Sequence, residues 1–432
     1  MPDPTLRPPH KARSARLSFE LLLGVGMRGA GALASFALTW LLARFYGAEA
    51  LGNYQIALAG LTTLSLLASL GMELGLVRYL GKRTIGEATA DDRATFQRSV
   101  SSTLQVSVPL AVLALVCLLV LPDRLGGEYT GLAPYFLALL PIVVLQPVLR
   151  LGNAVLRCFG KVMLSQSLDG IFYTGLACAV AAFAAYQRWE NGPLAAAITY
   201  SLAMTAAVCI ALIGARSILS TKLEGGTAQL SRFDSAIIGL VMLVTTLGNL
   251  LALYLVAGRL GIGDAGIFRT AFQIAMLMQL VNAAFGMMIS PHMARATAAD
   301  DRGEVVALVA KAAGLGLVLT SPVAVTCLVF PAEAMGLFGP QFVAGAAILP
   351  ILFFGQLADI VLGQAGTALV MLKRERLVLA SEIAAFLAGI GTALATMPAQ
   401  GMVGAALGLL VISLMRNALN TLFLALALKP TR

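Results

Sequence analysis

Twelve apolar runs, each long enough to cross about 30 Å of hydrocarbon, constrain this chain more than any other feature. They fall near 19–43, 50–77, 99–121, 132–156, 164–186 and 193–215. After a polar stretch they resume near 233–257, 264–290, 306–330, 342–372, 378–397 and 402–427. Backbone N–H and C=O groups find no water in a bilayer core, so runs of this length cross it as helices. Apolar residues make up 59% of the 432 positions and charged residues 12%. A soluble domain carries roughly twice that share of charge and needs it to cover its surface.

The charges sit in the short loops between the runs, and their side is biased. Twenty-one lysines and arginines fall on the side holding both chain ends, including Arg7, Lys82, Arg83, Lys161, Arg216, Lys222, Lys373 and Arg432. Four fall on the other side: Arg44, Arg124, Arg188 and Arg259. The positive-inside rule then predicts a multi-pass membrane protein with both termini in the cytoplasm. It also accounts for the net charge of +9 without nucleic acid as a partner. Phe19–Ala43 is too long for a signal-peptide core and reads as a retained first span.

No extramembrane segment is large enough for a soluble catalytic site. The longest outer loop, between Leu121 and Leu132, has about ten residues. A polymerase, ligase or integral glycosyltransferase would carry a large outer loop or an acidic loop motif, so the chain is not expected to be an enzyme. Five scattered cysteines and two histidines exclude a disulfide framework and a histidine-ligated metal site. The Walker A spacing is missing, so ATP is not used directly, and no cofactor is expected beyond coupling to H+ or Na+.

The two halves repeat at an offset of 213–214 residues. Gly47-x4-Gly52-x-Tyr54 returns as Gly261-x4-Gly266-x-Phe268, each following the first span of its half. Tyr129 and Gly131 match Phe342 and Ala344, and Asp169 matches Glu382. The division expected is a basic tail over 1–18, an N-lobe over 19–215, a polar linker over 216–232 and a C-lobe over 233–432. Six spans per half make the repeat parallel, an arrangement that places a cavity between lobes which rock about it.

Gly29, Gly31 and Phe36, then LLARFYGAEALGNY (Leu41–Tyr54) and SLLASLGMELGLVRYLGKR (Ser65–Arg83), form a recognisable pattern. Over roughly residues 18–160 the chain resembles the O-antigen and exopolysaccharide flippases, a branch of the multidrug/oligosaccharidyl-lipid/polysaccharide exporter superfamily. The resemblance implies two pseudo-symmetric six-helix lobes around a central cavity in the bacterial inner membrane. It implies a lipid-linked oligosaccharide, carried on undecaprenyl diphosphate, as cargo for surface polysaccharide such as lipopolysaccharide. Membrane lipids and a polysaccharide polymerase and export complex would be partners. The alternative is an ion-coupled multidrug antiporter of the same superfamily, whose N-lobe cavity would favour carboxylates over Arg28. Peptidoglycan-precursor flippases have two more spans.

Ionisable side chains at bilayer depth mark functional positions by default. Here they are Arg28, Glu73, Arg150, Asp169, Arg269, Asp359, Glu382 and Arg416. A guanidinium grips phosphate oxygens through two parallel hydrogen bonds and keeps its charge when desolvated. That chemistry makes Arg28 in the first span the leading diphosphate contact, and the family resemblance, in which arginines of the first and eighth spans line the cavity, implies Arg269 in the eighth as its counterpart. Arg150 and Asp169 lie at equal depth on adjacent antiparallel spans and are expected to form a structural ion pair. Asp359 and Arg416 stand near mid-bilayer. Either they pair, or Asp359 is a coupling carboxylate and Arg416 a further cavity cation.

Overall fold

A computed structural model describes residues 10–69, 71–80, 90–120, 131–219, 232–279, 302–372 and 374–428, and among these the regular structure is entirely helical. Several residues used to orient the chain, among them Arg7, Lys82, Arg83, Arg124, Lys222 and Lys373, lie outside the described residues. So does the centre of the linker, 220–231.

In chain order the helices are α1 (His10–Ser69), α2 (Met72–Leu80), α3 (Ala90–Val120), α4 (Ala133–Leu139), α5 (Ile142–Cys158), α6 (Val162–Gln166), α7 (Phe172–Tyr186) and α8 (Gly192–Ile218). The second half has α9 (Arg232–Leu260), α10 (262–279), α11 (Arg302–Val329), α12 (Pro331–Gly336), α13 (Leu349–Leu362), α14 (Gln364–Met371), α15 (Glu375–Gln400) and α16 (Met402–Ala427). Charges at the helix ends suit the backbone dipoles: Asp91 and Asp92 begin α3, Glu375 begins α15, and Arg157, Arg216 and Arg259 stand in the last turns of α5, α8 and α9.

Among the described residues eight stretches are long and apolar enough to cross a membrane, and the bent pair Leu349–Leu362 and Gln364–Val370 makes a ninth if it is one span. These correspond to nine of the twelve runs. The first run lies in the part of α1 before Gly47, where two helices meet at a kink, and the second runs from the later part of α1 into α2. The eighth starts in α10 and leaves the described residues at 280. Twelve separate spans are therefore more than the described residues display. Flanks of α3 and α11 turn Val112, Leu113, Leu119, Val318 and Val325 outward. Apolar surface of that extent on helices long enough to span hydrocarbon suits contact with lipid, and the chain is a multi-pass membrane protein.

Not every proline bends its helix. Pro141 stands where α4 gives way to α5, whereas Pro350 sits in the first turn of α13, where the missing N–H has no partner to lose. The 44° bend in this span comes at Gly363 instead.

The repeated glycines meet each other. Gly47 and Gly261 both have positive φ, 86° and 107°, a conformation open to glycine at little cost. One turn on, a Cβ on Gly52 would overlap the Ile262 carbonyl oxygen, and one on Gly266 would overlap the Ala48 carbonyl oxygen. Ala48 and Gly52 stand 214 residues before Ile262 and Gly266, so the two contacts are one contact repeated about a pseudo-two-fold axis. The same offset relates Gly131 against Asn53 to Gly345 against Ile267. The structural mate of Gly131 is therefore Gly345, one position beyond the Ala344 matched from sequence. Tyr54 and Phe268, equivalent again, are each 1% exposed in one continuous apolar core.

Candidate functional site

Helices α9, α10 and α13–α16 enclose a cavity of about 360 Å³ whose lining comes wholly from the second half of the chain. A cavity between the halves was the expectation; this one lies within the C-terminal helices. Its polar wall begins with α16, where Ser413, Arg416, Asn417 and Asn420 recur at three- and four-residue spacing and so share one face. Across from them α13 presents Gln356 and Asp359, α15 presents Glu382, and α10 presents Gln279.

Asp359 is 6% exposed and is held from several directions. Arg416 Nη2 pairs with its Oδ1. Asn417 Nδ2 donates to the same oxygen at 2.6 Å, and Gln279 Nε2 donates to Oδ2 at 3.1 Å and to Gln356 Oε1 at 2.6 Å. Arg416 also stands 3.8 Å, through Nε, from Glu382 Oε1. Next to this network, Ser381 donates to Asn420 Oδ1 at 2.6 Å. Among the ionisable residues lining the cavity, two carboxylates face one guanidinium, which leaves one formal negative charge in excess. Such a group stays ionised in a membrane only where paired, hydrogen-bonded or wetted. One turn beyond Asp359 lies the bend at Gly363, whose N–H donates to the Asp359 carbonyl at 3.0 Å.

The other intramembrane charges are dispersed. Arg28 lies on α1, with its side chain outside the described residues. Arg269 is pinned at the junction of the halves: its Nε donates to Gln55 Oε1 at 3.3 Å and its guanidinium lies 5.5 Å from the Phe272 ring. Gln55 and Arg269 are themselves repeat mates, and a residue touches its own mate only beside the symmetry axis. From Gln55 a polar chain continues to Thr39 at 3.2 Å, and Thr39 lies 2.8 Å from Gln273 of the other half. Arg150 is half-buried on α5. Asp169 sits in a π-turn (Ser167–Ile171), and both act electrostatically on Tyr173 and Tyr200. Glu73 pairs with Arg157 at 2.7 Å. Sequence reasoning found Asp359, Glu382 and Arg416 but missed Gln279, Gln356, Ser413 and Asn417, although the polar face of α16 was there to be read.

The sequence matches no family model and no curated protein. Solved structures do match. A multidrug resistance MATE family transporter of the MOP superfamily, captured facing inward, is similar over 94% of this chain and 98% of its own, with 15% identity and a TM-score of 0.74. An outward-facing multidrug resistance MATE transporter covers 96% and 95%, at 15% identity and 0.66. A MOP superfamily transporter from Pyrococcus furiosus, described as having reversed binding-pocket polarity that suggests a different function, covers 96% of both chains at 16% and 0.66.

These matches overturn the resemblance to the oligosaccharide flippases, and the lipid-linked cargo and O-antigen and exopolysaccharide roles go with it. The motif that carried the resemblance has an architectural use. Gly47 takes a positive φ and Gly52 lets two backbones touch, so the pattern marks the fold and not the cargo. At these identities the likeness establishes one thing: the chain has the all-helical fold of the MATE transporters of the MOP superfamily.

Proposed function

We propose that this protein is an ion-coupled antiporter that moves small organic solutes across the membrane. The observation that carries this reading is the buried cluster of Asp359, Glu382 and Arg416 in a cavity with negative charge in excess, inside a transporter fold. A purely structural bundle gains nothing from two carboxylates and one guanidinium at this depth, since apolar side chains of similar volume would be as stable or more so. The fold neighbours described as multidrug transporters support a solute cargo.

In this reading the chain has twelve spans in two six-helix lobes, 19–215 and 233–432, joined by 216–232 and preceded by a basic tail over 1–18. Both ends are cytoplasmic, as the charge bias supports. Asp359 is the coupling carboxylate. A proton or sodium ion entering the cavity competes with Arg416 for its charge and loosens the ties to Asn417 and Gln279. Asp359 stands one turn before the Gly363 bend, so release of its ties alters the support of that bend and the packing of α13 against α16. Arg269 and Gln55 hold the axis between the lobes. Arg150 and Asp169 act on the structural tyrosines Tyr173 and Tyr200 and take no part in coupling.

The test is movement of a fluorescent cationic dye in proteoliposomes under an imposed pH or sodium gradient. Wild-type protein is expected to move dye against its gradient with one of the two ions, and Asp359→Asn to lose at least tenfold of that flux while remaining monodisperse. Absence of dye movement under both gradients overturns the reading, as does full coupling in Asp359→Asn.

A further inference from the structure

A groove of about 450 Å³ runs between α3 and α8, on the half of the chain remote from the charged cavity. Phe96, Val100 and Leu104 of α3 and Leu212 of α8 make its apolar lining, and Arg93 and Arg216 flank it. Arg93 is at the start of α3 and Arg216 in the last turn of α8, so both guanidiniums stand at one end of their spans, at the level of lipid headgroups. Both are exposed, and neither makes a hydrogen bond or ion pair among the described residues.

The helix dipole accounts for only one of them. A cation suits the C-terminus of α8, but Arg93 closes the first turn of α3, where the dipole repels positive charge. Its neighbours Asp91 and Asp92 follow the dipole and Arg93 opposes it. From Arg93 to Leu104 the helix rises about 16 Å, which carries the groove from headgroup depth well into one leaflet's hydrocarbon. Gln97, exposed one turn below Arg93 and also lining the groove, stands about 6 Å deeper, at the depth of glycerol ester oxygens. The flanks of the groove turn outward: Ile213, next to Leu212, is 67% exposed and Val106, next to Gln105, 40%.

We propose that this groove binds an anionic phospholipid from the membrane, with its phosphate between Arg93 and Arg216 and an acyl chain along Phe96, Val100 and Leu104. The charge of the rim and the apolarity of the floor together fit that occupant: an anion with a long hydrocarbon tail. A zwitterionic lipid fills the floor equally well but gains less from two unpaired guanidiniums.

Native mass spectrometry of the detergent-purified full chain, titrated with phosphatidylglycerol or phosphatidylcholine, tests the proposal. Wild-type protein is expected to retain phosphatidylglycerol roughly thirtyfold better than phosphatidylcholine, two guanidiniums contributing. The preference should vanish in R93A/R216A and persist in R98A, whose arginine lies on the same helix outside the groove lining. Leu104→Trp keeps both arginines but fills the floor, and it should also lose the lipid. Equal retention of the two lipids by wild type overturns the proposal, as does an unchanged preference in R93A/R216A. Competition by inorganic phosphate together with undiminished binding in Leu104→Trp shows a headgroup site alone, and refutes the seated chain. A dimer that Leu104→Trp dissolves assigns the groove to a second copy of the chain, and refutes it too.

Discussion

Alanine at Gly52 is the sharpest probe of the junction between the halves. Its Cβ would overlap the Ile262 carbonyl oxygen and press on the Ile262 side chain as well. The obstacle is backbone, so no rotamer change relieves it; α1 and α10 have to part. Overpacking of this kind costs about 1–3 kcal/mol. Gly52 meets Ile262 only while the two helix ends stay together, so the cost falls on this arrangement and not on one in which they separate. The equilibrium between the two should shift by about 5- to 150-fold toward separation. Gly266→Ala should do the same, because it presents its Cβ to the symmetry-related carbonyl of Ala48. The double variant should fall short of additivity, since one separation relieves both overlaps. Gly263→Ala, on the same helix with no atom within 4 Å of the added Cβ, is the control. Spin labels at positions 44 and 259, exposed on either half, report the separation as a distance distribution in a cysteine-free background. The reasoning is refuted if Gly52→Ala matches Gly263→Ala in both distance distribution and thermal midpoint.

Two further outcomes follow from the side chains. Asp359→Ala leaves Arg416 with Glu382 at 3.8 Å, whereas Arg416→Ala takes the shared guanidinium away from two carboxylates that repel each other. Removing either partner of a buried pair costs about 3–5 kcal/mol. Arg416→Ala should lower the thermal midpoint in detergent by more than Asp359→Ala, and the reverse order would sink the electrostatic account. Tyr54 is buried, its hydroxyl has no partner among the described residues, and its repeat mate Phe268 has no hydroxyl. Tyr54→Phe should therefore be neutral or slightly stabilising, and a loss above about 1 kcal/mol in the same melt would reveal a partner for that hydroxyl.

Much of the architecture is legible in the apolar runs, because the length of a membrane span is set by the solvent and not by distant contacts. Nine of the runs coincide with helices or a bent helix pair of the described residues, and Gly47, Gly52, Gly261 and Gly266 announce the repeat. What the pattern hides is the form of the junction: nothing in the composition near Gly47 shows that two helices meet there at one kinked residue and not through a longer loop. The candidate site divides in the same way. Asp359, Glu382 and Arg416 stand out because charge is expensive at that depth, yet Asp359 and Arg416 are 57 positions apart and their pairing is a property of packing. Gln279, Gln356 and Asn417 drew no attention, since a neutral amide interrupts an apolar run far less than a charge does. Only the helical spacing of Ser413, Arg416, Asn417 and Asn420 betrays that they work together.

The glycine motif misled about cargo for a reason that reaches beyond this chain. Close backbone contact at Gly52 and Gly266 is a demand of joining two halves about an axis, and it is the same whatever passes between them. Positions that answer to the cargo must instead touch it, and here those nearest a chemical commitment are Asp359, Glu382 and Arg416. Their balance can be changed without disturbing the junction. Replacing Glu382 with glutamine removes the excess negative charge but keeps the Asp359–Arg416 pair, so a cation-coupled antiporter should lose ion affinity before it loses stability. A junction variant such as Gly52→Ala should alter the conformational balance with the cavity chemistry intact. If the two classes of variant instead affected transport in the same way, the cavity would be one more packing feature of the bundle, and its charges would say nothing about what the protein carries.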